Sequence, residues 1–214
     1  VYKRFSDKAG CKTFINPAIG EVFASVRGAD ITNQSPDRLR AIKEYSKEST
    51  TLNAFLRGYF DKTKSERSED EIKKITRQVS AAIGKTELKD DMMLYRGVRI
   101  DDPKAFKAIF GADIDGMIGD LHTEDVKRLK GHKFQDKGFG STSVVPQDAF
   151  GGDVVMHILA PKGTQVANLT PISKYANESE MLVRDGTWYE IVDAEKPKGQ
   201  PLHILVRIAS QSVI

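Results

Sequence analysis

The chain has 214 residues, 39% of them hydrophobic and 29% charged, with 33 Lys and Arg against 30 Asp and Glu for a net charge of +3. That length and apolar content suit one domain with a sizeable core, and the charge excess is too small to argue for a nucleic-acid partner. The single cysteine, Cys11, excludes an internal disulfide and reads as a buried, neutral thiol; no Cys/His cluster has zinc-ligand spacing, and no apolar run reaches the length of a membrane span.

Residues 1–35 mix glycines, aromatics and turn formers and read as an irregular N-terminal extension with one short strand at 21–26. Ser35, Pro36 and Asp37 open a helix, with proline at its first position and an acid in its first turn. Leu39, Ile42, Tyr45, Leu52, Phe55 and Leu56 continue an apolar stripe at helical spacing. The hydroxyls of Ser49, Thr50 and Thr51 are expected to divide it into two helices, the second capped by one of them. After a charged, solvated connection, Ser68 and Glu71 form a capping-box pattern for a helix to about Ala82, stopped by Gly84. Residues 36–90 thus form a helical lead-in.

Met92 to Val98 is an apolar run interrupted only by Arg96 and Gly97, and reads as a buried strand. Helices are expected at 102–110 and 123–130. The pattern then changes: residues 138–143 form a glycine-rich strand, and short strands follow at 154–159, 165–169, 181–183, 187–193 and 202–208. Trp188 and Tyr189 are expected in the core. Helices first and strands afterwards define an α+β fold. The whole chain, 1–214, reads as a single domain whose strand-rich core with connecting helices spans 91–214.

Three polar elements lie on or beside these strands. Arg96 emerges from a largely buried strand and needs an anionic partner, either a ligand phosphate or a carboxylate at the edge of the core. Ser141, Thr142 and Ser143 form a hydroxyl triplet, a polar strand edge if taken alone. Glu178 and Glu180 stand two apart at the entry to a strand, so they share a face, and like charges held that close are costly. Together they supply a phosphate clamp, hydroxyl donors and a carboxylate pair.

In that order, Tyr95-Arg96, Ser141-Thr142-Ser143 and Glu178-Ser179-Glu180 resemble the mono-ADP-ribosyltransferases of the R-S-E class, in the bacterial exotoxin branch of the actin-modifying binary toxins and C3-like exoenzymes. The likeness includes Asn53 and Arg57 in an Asn-x-x-Leu-Arg pattern and runs from about residue 37 to 208. It implies a split β-sandwich of mixed and antiparallel strands with N-terminal helices packed on it, and a cleft for NAD as co-substrate, with no metal required. It implies that Glu180 stabilises the cation developing on the nicotinamide ribose, that Ser141 orients Glu180, and that Thr142 and Ser143 brace the strand or the cofactor. Arg96 would bind a phosphate, and Asn53 and Arg57 would approach the phosphate or adenosine side. Gly97 and Phe139 would border nicotinamide, Phe139 serving equally as core. Many relatives carry an arginine in the segment 144–152; this chain has Gln147, Asp148 and Phe150 there instead.

Relatives that modify arginine carry Glu at the position of Glu178, and those that modify asparagine carry Gln. A carboxylate can grip a guanidinium in two places as it attacks. The resemblance therefore points to transfer of ADP-ribose to an arginine of a target protein, with Tyr175 in the loop before the carboxylates either touching that protein or packing the loop. The alternatives are an NAD glycohydrolase using water, or a non-enzymatic module that keeps the fold. Nucleic acid as acceptor lacks a concentrated basic-aromatic patch. The four histidines are scattered and carry no assigned chemistry. With no visible signal peptide and Val1 in place of Met, the chain reads as a processed or excised piece of a secreted or injected effector acting in the cytoplasm of a target cell, with a delivery component or further domains outside it.

Overall fold

The computed structural model describes residues 1–11, 27–119, 125–149, 151–172 and 180–211. The strand expected at 21–26, together with Phe150, Tyr175 and Glu178, lies outside them, as does the side chain of Asp148.

The chain opens with a helix where irregular structure was expected: α1, Tyr2–Ala9, closed by Gly10 at φ 70°. Its signal is short, since a two-turn helix shows only Tyr2, Phe5 and Ala9 as an apolar stripe. Helix α2, Pro36–Leu56, starts at proline as expected and contains a non-helical residue, Glu48 (φ −129°, ψ 29°). The break thus falls one residue before the hydroxyl triplet. Helix α3, Glu69–Ile83, carries the capping box: Glu71 N–H donates to Ser68 Oγ at 3.3 Å, and Ser68 N–H donates to Glu71 Oε2 at 2.8 Å. Two donors that the helix itself cannot satisfy are thereby met. Helix α4, Pro103–Gly119, extends past the expected end by bending at Gly111, whose φ of 81° only glycine adopts freely. Residues Asp125–Leu129 form a 3₁₀ turn rather than an α-helix.

Eight strands follow: β1 Met92–Val98, β2 Lys133–Asp136, β3 Gly140–Ser143, β4 Val154–Ala160, β5 Val166–Asn168, β6 Glu180–Val183, β7 Thr187–Glu195 and β8 Leu202–Gln211. Seven match expected strands; β2 was not anticipated. They are hydrogen-bonded in the order β2-β7-β8-β4-β1-β3-β6-β5, antiparallel throughout except for β4 beside β8. The order is continuous but very unevenly joined. Strand β1 pairs with β4 over seven residues and with β3 through Tyr95↔Ser143 alone. That thin joint is the split between a five-strand half and the three-strand half β3-β6-β5.

Three apolar clusters hold the layers. One lies on the sheet face of Leu94, Met156 and Ile204, under α4. A second fixes α2 and α3, through Ile42, Tyr45, Leu52, Ile72 and Val79, against Phe139, Ala167 and Leu182. A third packs Phe5 of α1 on Met93, Tyr95, Val155 and Leu205. Tyr189 is buried as expected, but Trp188 is 39% exposed. Neighbours on a strand point to opposite faces, so the two could not both enter one core.

Candidate active site

The split in the sheet is where the polar residues meet. Strands β3 and β6 pair with Ser143 opposite Glu180 and Ser141 opposite Leu182. This register puts Ser141 and Glu180 diagonally on one face, within reach of each other. Ser141 Oγ–H donates to Glu180 Oε1 at 2.8 Å. The hydrogen bond fixes one oxygen of a carboxylate at the mouth of the split.

Arg96 reaches the same place from β1. Its Nη1 donates to Asp136 Oδ2 at 2.8 Å, and its side chain is 12% exposed. A Cβ on Gly140 would stand 3.3 Å from that nitrogen, so glycine there keeps the passage open. Two cavities, of about 620 and 480 Å³, share Arg96, Ser141 and Glu180 in their walls. The larger continues along α2 past Tyr45, Asn53 and Phe139 to the cations Arg40, Lys43 and Lys47. The smaller is bordered by Gly97, Thr142 and Ser143.

Behind this wall lies Asp136, which the sequence reading did not select. Its carboxylate accepts from Arg57 Nε at 2.8 Å and Nη2 at 2.9 Å as well as from Arg96, and its Oδ1 accepts the Gly138 N–H at 2.9 Å. Burial alone would raise the Asp136 carboxyl. The Arg96 and Arg57 charges and hydrogen bonds outweigh it and hold the group below the ordinary carboxylate range. Asp136 is therefore the core-edge carboxylate that a buried arginine on β1 required.

The cluster engages several of the expected ligands in bonds within the protein. Arg57 is turned inward, with only 6% of its side chain exposed and its donors on Asp136 and the Phe139 carbonyl. It lines neither cavity. Asn53 lines the larger cavity, but its amide is committed: Nδ2 donates to Tyr45 Oη at 3.0 Å and Oδ1 accepts the Phe139 N–H at 2.8 Å. Phe139 is fully buried, edge-on to Tyr45 with ring centroids 5.2 Å apart. Burial pushes the Tyr45 phenol well above its ordinary value, so it stays protonated. Thr142 Oγ1 donates to the Met181 carbonyl at 2.6 Å and braces β3 on β6, while Ser143 Oγ accepts the Val145 N–H at 3.1 Å. The structure thus gathers Arg96, Gly97, Ser141, Thr142, Ser143 and Glu180 around the split. It adds Tyr45, Asp136 and the cations of α2, and leaves Arg57 behind the wall. The signal for Asp136 was the unmet demand of Arg96 for an anion; the α2 cations gave none, because exposed lysines on a helix are ordinary.

Among the described residues, no three His, Cys, Asp or Glu side chains group to hold a metal, and no helix is long and apolar enough to cross a membrane. Cys11 is 8% exposed, and burial, with the nearby Asp91 charge, raises its thiol.

An α+β domain with a split sheet, helices packed on both halves and an Arg, a Ser-Thr-Ser strand and a Glu meeting at the joint defines an ADP-ribosyltransferase of the bacterial-toxin type. The family model described as ADP-ribosyltransferase exoenzyme matches residues 16–207, and the chain belongs to that family; its activity is NAD-dependent transfer of ADP-ribose. Solved structures carry the same fold. Plx2a, an ADP-ribosyltransferase toxin from Paenibacillus larvae, is 22% identical with TM-score 0.68 over 96% of each chain. C3stau2 from S. aureus, solved with NAD, is 22% identical with TM-score 0.71 over 94% of this chain and 99% of that one. BECa, from a binary enterotoxin of C. perfringens and solved with NADH, is 21% identical with TM-score 0.68; it matches 88% of this chain but only 46% of its own. Among curated proteins there is no match.

Proposed function

We propose that the two cavities together receive NAD, that Arg96 binds one of its phosphates, and that Glu180 drives transfer of ADP-ribose to an arginine of a target protein, with release of nicotinamide. The observation that carries this reading is the 2.8 Å bond from Ser141 to Glu180 at the wall both cavities share with Arg96. An extended dinucleotide spans adjoining cavities better than either alone, and at the α2 end of the larger one Arg40, Lys43 and Lys47 outnumber the one carboxylate there, Glu44, which favours an anion. Breaking the bond between nicotinamide and ribose leaves positive charge on the ribose. Glu180, already oriented by Ser141, offers fixed negative charge where that charge develops, without reorganisation during the reaction. The acceptor assignment rests on the sequence: Glu178, two residues before Glu180, matches a guanidinium better than a glutamine would. Tyr175, in the same loop, is proposed to touch the target. C3stau2 was solved with NAD, and BECa belongs to a binary toxin; by analogy the chain acts inside a target cell after delivery by other components.

The test is incubation of the protein with labelled NAD and cell lysate. Glu180→Gln is expected to lower both transfer and NAD cleavage by about 100-fold or more. Glu178→Gln is expected to lose transfer to arginine and keep part of the cleavage. Mass spectrometry should place the adduct on arginine. Identical behaviour of the two variants would undo the division of labour, and an adduct on asparagine or cysteine would undo the acceptor.

A further inference from the structure

We propose that Asp136 is a positioning residue for the transfer reaction, holding the Arg96 guanidinium at the wall shared by the two cavities so that it meets a phosphate of NAD. The inference rests on the reading of Arg96 as a phosphate ligand. It begins from charge arithmetic in a buried place. One carboxylate, 1% exposed, serves two guanidinium groups whose side chains are 6% and 12% exposed. The cluster therefore carries one surplus positive charge. Arg57 takes the two-point grip, through Nε and Nη2, and lies behind the wall. Arg96 makes one bond to Asp136 through Nη1 and faces both cavities. A guanidinium has five N–H donors, so that single bond leaves most of them for a ligand. The surplus charge is thus presented to the cleft by Arg96, at a height and angle that Asp136 sets.

The surroundings make the position specific. The Gly138 N–H and both arginines close around the same carboxylate, so it has no free rotation. A Cβ on Gly140 would crowd the Arg96 head, at 3.3 Å from Nη1. Without the charge of Asp136 the two guanidinium groups repel, and Arg96, the less deeply buried, is the one to move. Glu180 and Ser141 are fixed on β6 and β3 by their own bond. The loss should therefore fall on NAD binding rather than on the chemical step.

Asp136→Asn is expected to weaken NAD binding, measured by calorimetry, at least tenfold, and to lower kcat for nicotinamide release less than threefold. Arg57→Met disrupts the same buried cluster but keeps the bond between Asp136 and Arg96, and is expected to weaken binding less than threefold. Equal losses of affinity in these two variants, or an Asp136→Asn loss that appears in kcat and not in affinity, would overturn the proposal. Should Asp136→Asn fail to fold, Asp136→Glu keeps the charge while displacing the carboxylate by one methylene; a fivefold weaker affinity supports the proposal and a parent-like affinity overturns it. Arg96→Met, which removes the charge, separates this inference from the reading beneath it. Parent-like NAD affinity in Arg96→Met sinks the phosphate role itself, whereas lost affinity there with parent-like Asp136→Asn sinks only the role of Asp136.

Discussion

Asn53 shows how a single side chain can look like a ligand and act as a joint. The resemblance put it toward the cofactor, and it does border the larger cavity. Yet both ends of its amide are engaged, one by the Tyr45 hydroxyl and the other by the Phe139 N–H, which tie α2 to the approach of β3. Gly138 lies against the same joint: a Cβ there would come within 2.8 Å of both Asn53 Oδ1 and Arg57 Nε. Removing the Asn53 amide leaves a backbone donor without its partner, at a cost of about 1–3 kcal/mol. Asn53→Ala is therefore expected to destabilise the protein by that amount in urea unfolding. Unchanged stability with weakened NAD binding would show a ligand instead. Ser141 and Glu180 were legible because their chemistry lies in short runs, Ser-Thr-Ser and Glu-x-Glu, that survive without knowledge of the fold. Asp136 was not, because its meaning comes from Arg57 and Arg96, 79 and 40 residues away.

Helix α1 seals a buried polar pair. It covers a pair of histidines, His157 on β4 and His203 on β8, whose rings are 2.9 Å apart between Nε2 and Nδ1 and which are 0% and 3% exposed. Tyr2 and Phe5 of α1 pack directly on His157, and Tyr95 of β1 closes its other side. Outside this contact, Arg4 and Lys8 bind Asp193, and Arg4 also binds Glu195. Burial and the neighbouring His203 hold His157 down to about 3. Burial, with Lys196, holds His203 down to about 4 against the opposite pull of Glu195. Both rings are therefore neutral in the folded protein, whereas an unfolded histidine takes its proton near pH 6.5. Their contribution to stability is complete above that pH and is lost as pH falls from about 6.5 toward 3–4, by up to about 1.4 kcal/mol per pH unit for each ring. The melting temperature should drop between pH 7 and 5, and the drop should shrink in the double variant His157→Phe with His203→Leu. An equal drop in that variant would assign the acid sensitivity to other groups. Sequence reading saw two histidines in apolar strands; only the parallel pairing of β4 with β8 makes them a pair.

The whole molecule is built around a sheet that is nearly two sheets. Its fold class and seven strands could be read from alternating apolar runs and turn residues, since both are local signals. The split was legible only through the family resemblance and not in local patterns, because it depends on which strands pair and over what length: β1 gives seven residues to β4 and one to β3. Across that weak seam the clamp of Arg57, Asp136 and Arg96 ties α2, β2 and β1 together, while Ser141 and Glu180 tie β3 to β6. A ligand that touches Arg96 and Glu180 at once would therefore bridge the two halves and stabilise them jointly. Binding to the folded state alone adds about 2.7 kcal/mol at a ligand concentration of a hundred times Kd. For a chain of this length each kcal/mol shifts Tm by roughly 2–4 °C, so saturating NAD should raise Tm by about 5–10 °C. Hydrogen exchange should slow on both sides of the seam, in β1 and in β3 with β6, rather than on one. The shift should vanish in Arg96→Met and shrink in Glu180→Gln. Protection confined to the β3-β6-β5 half, or a Tm shift that survives Arg96→Met, would mean that NAD does not lie across the joint.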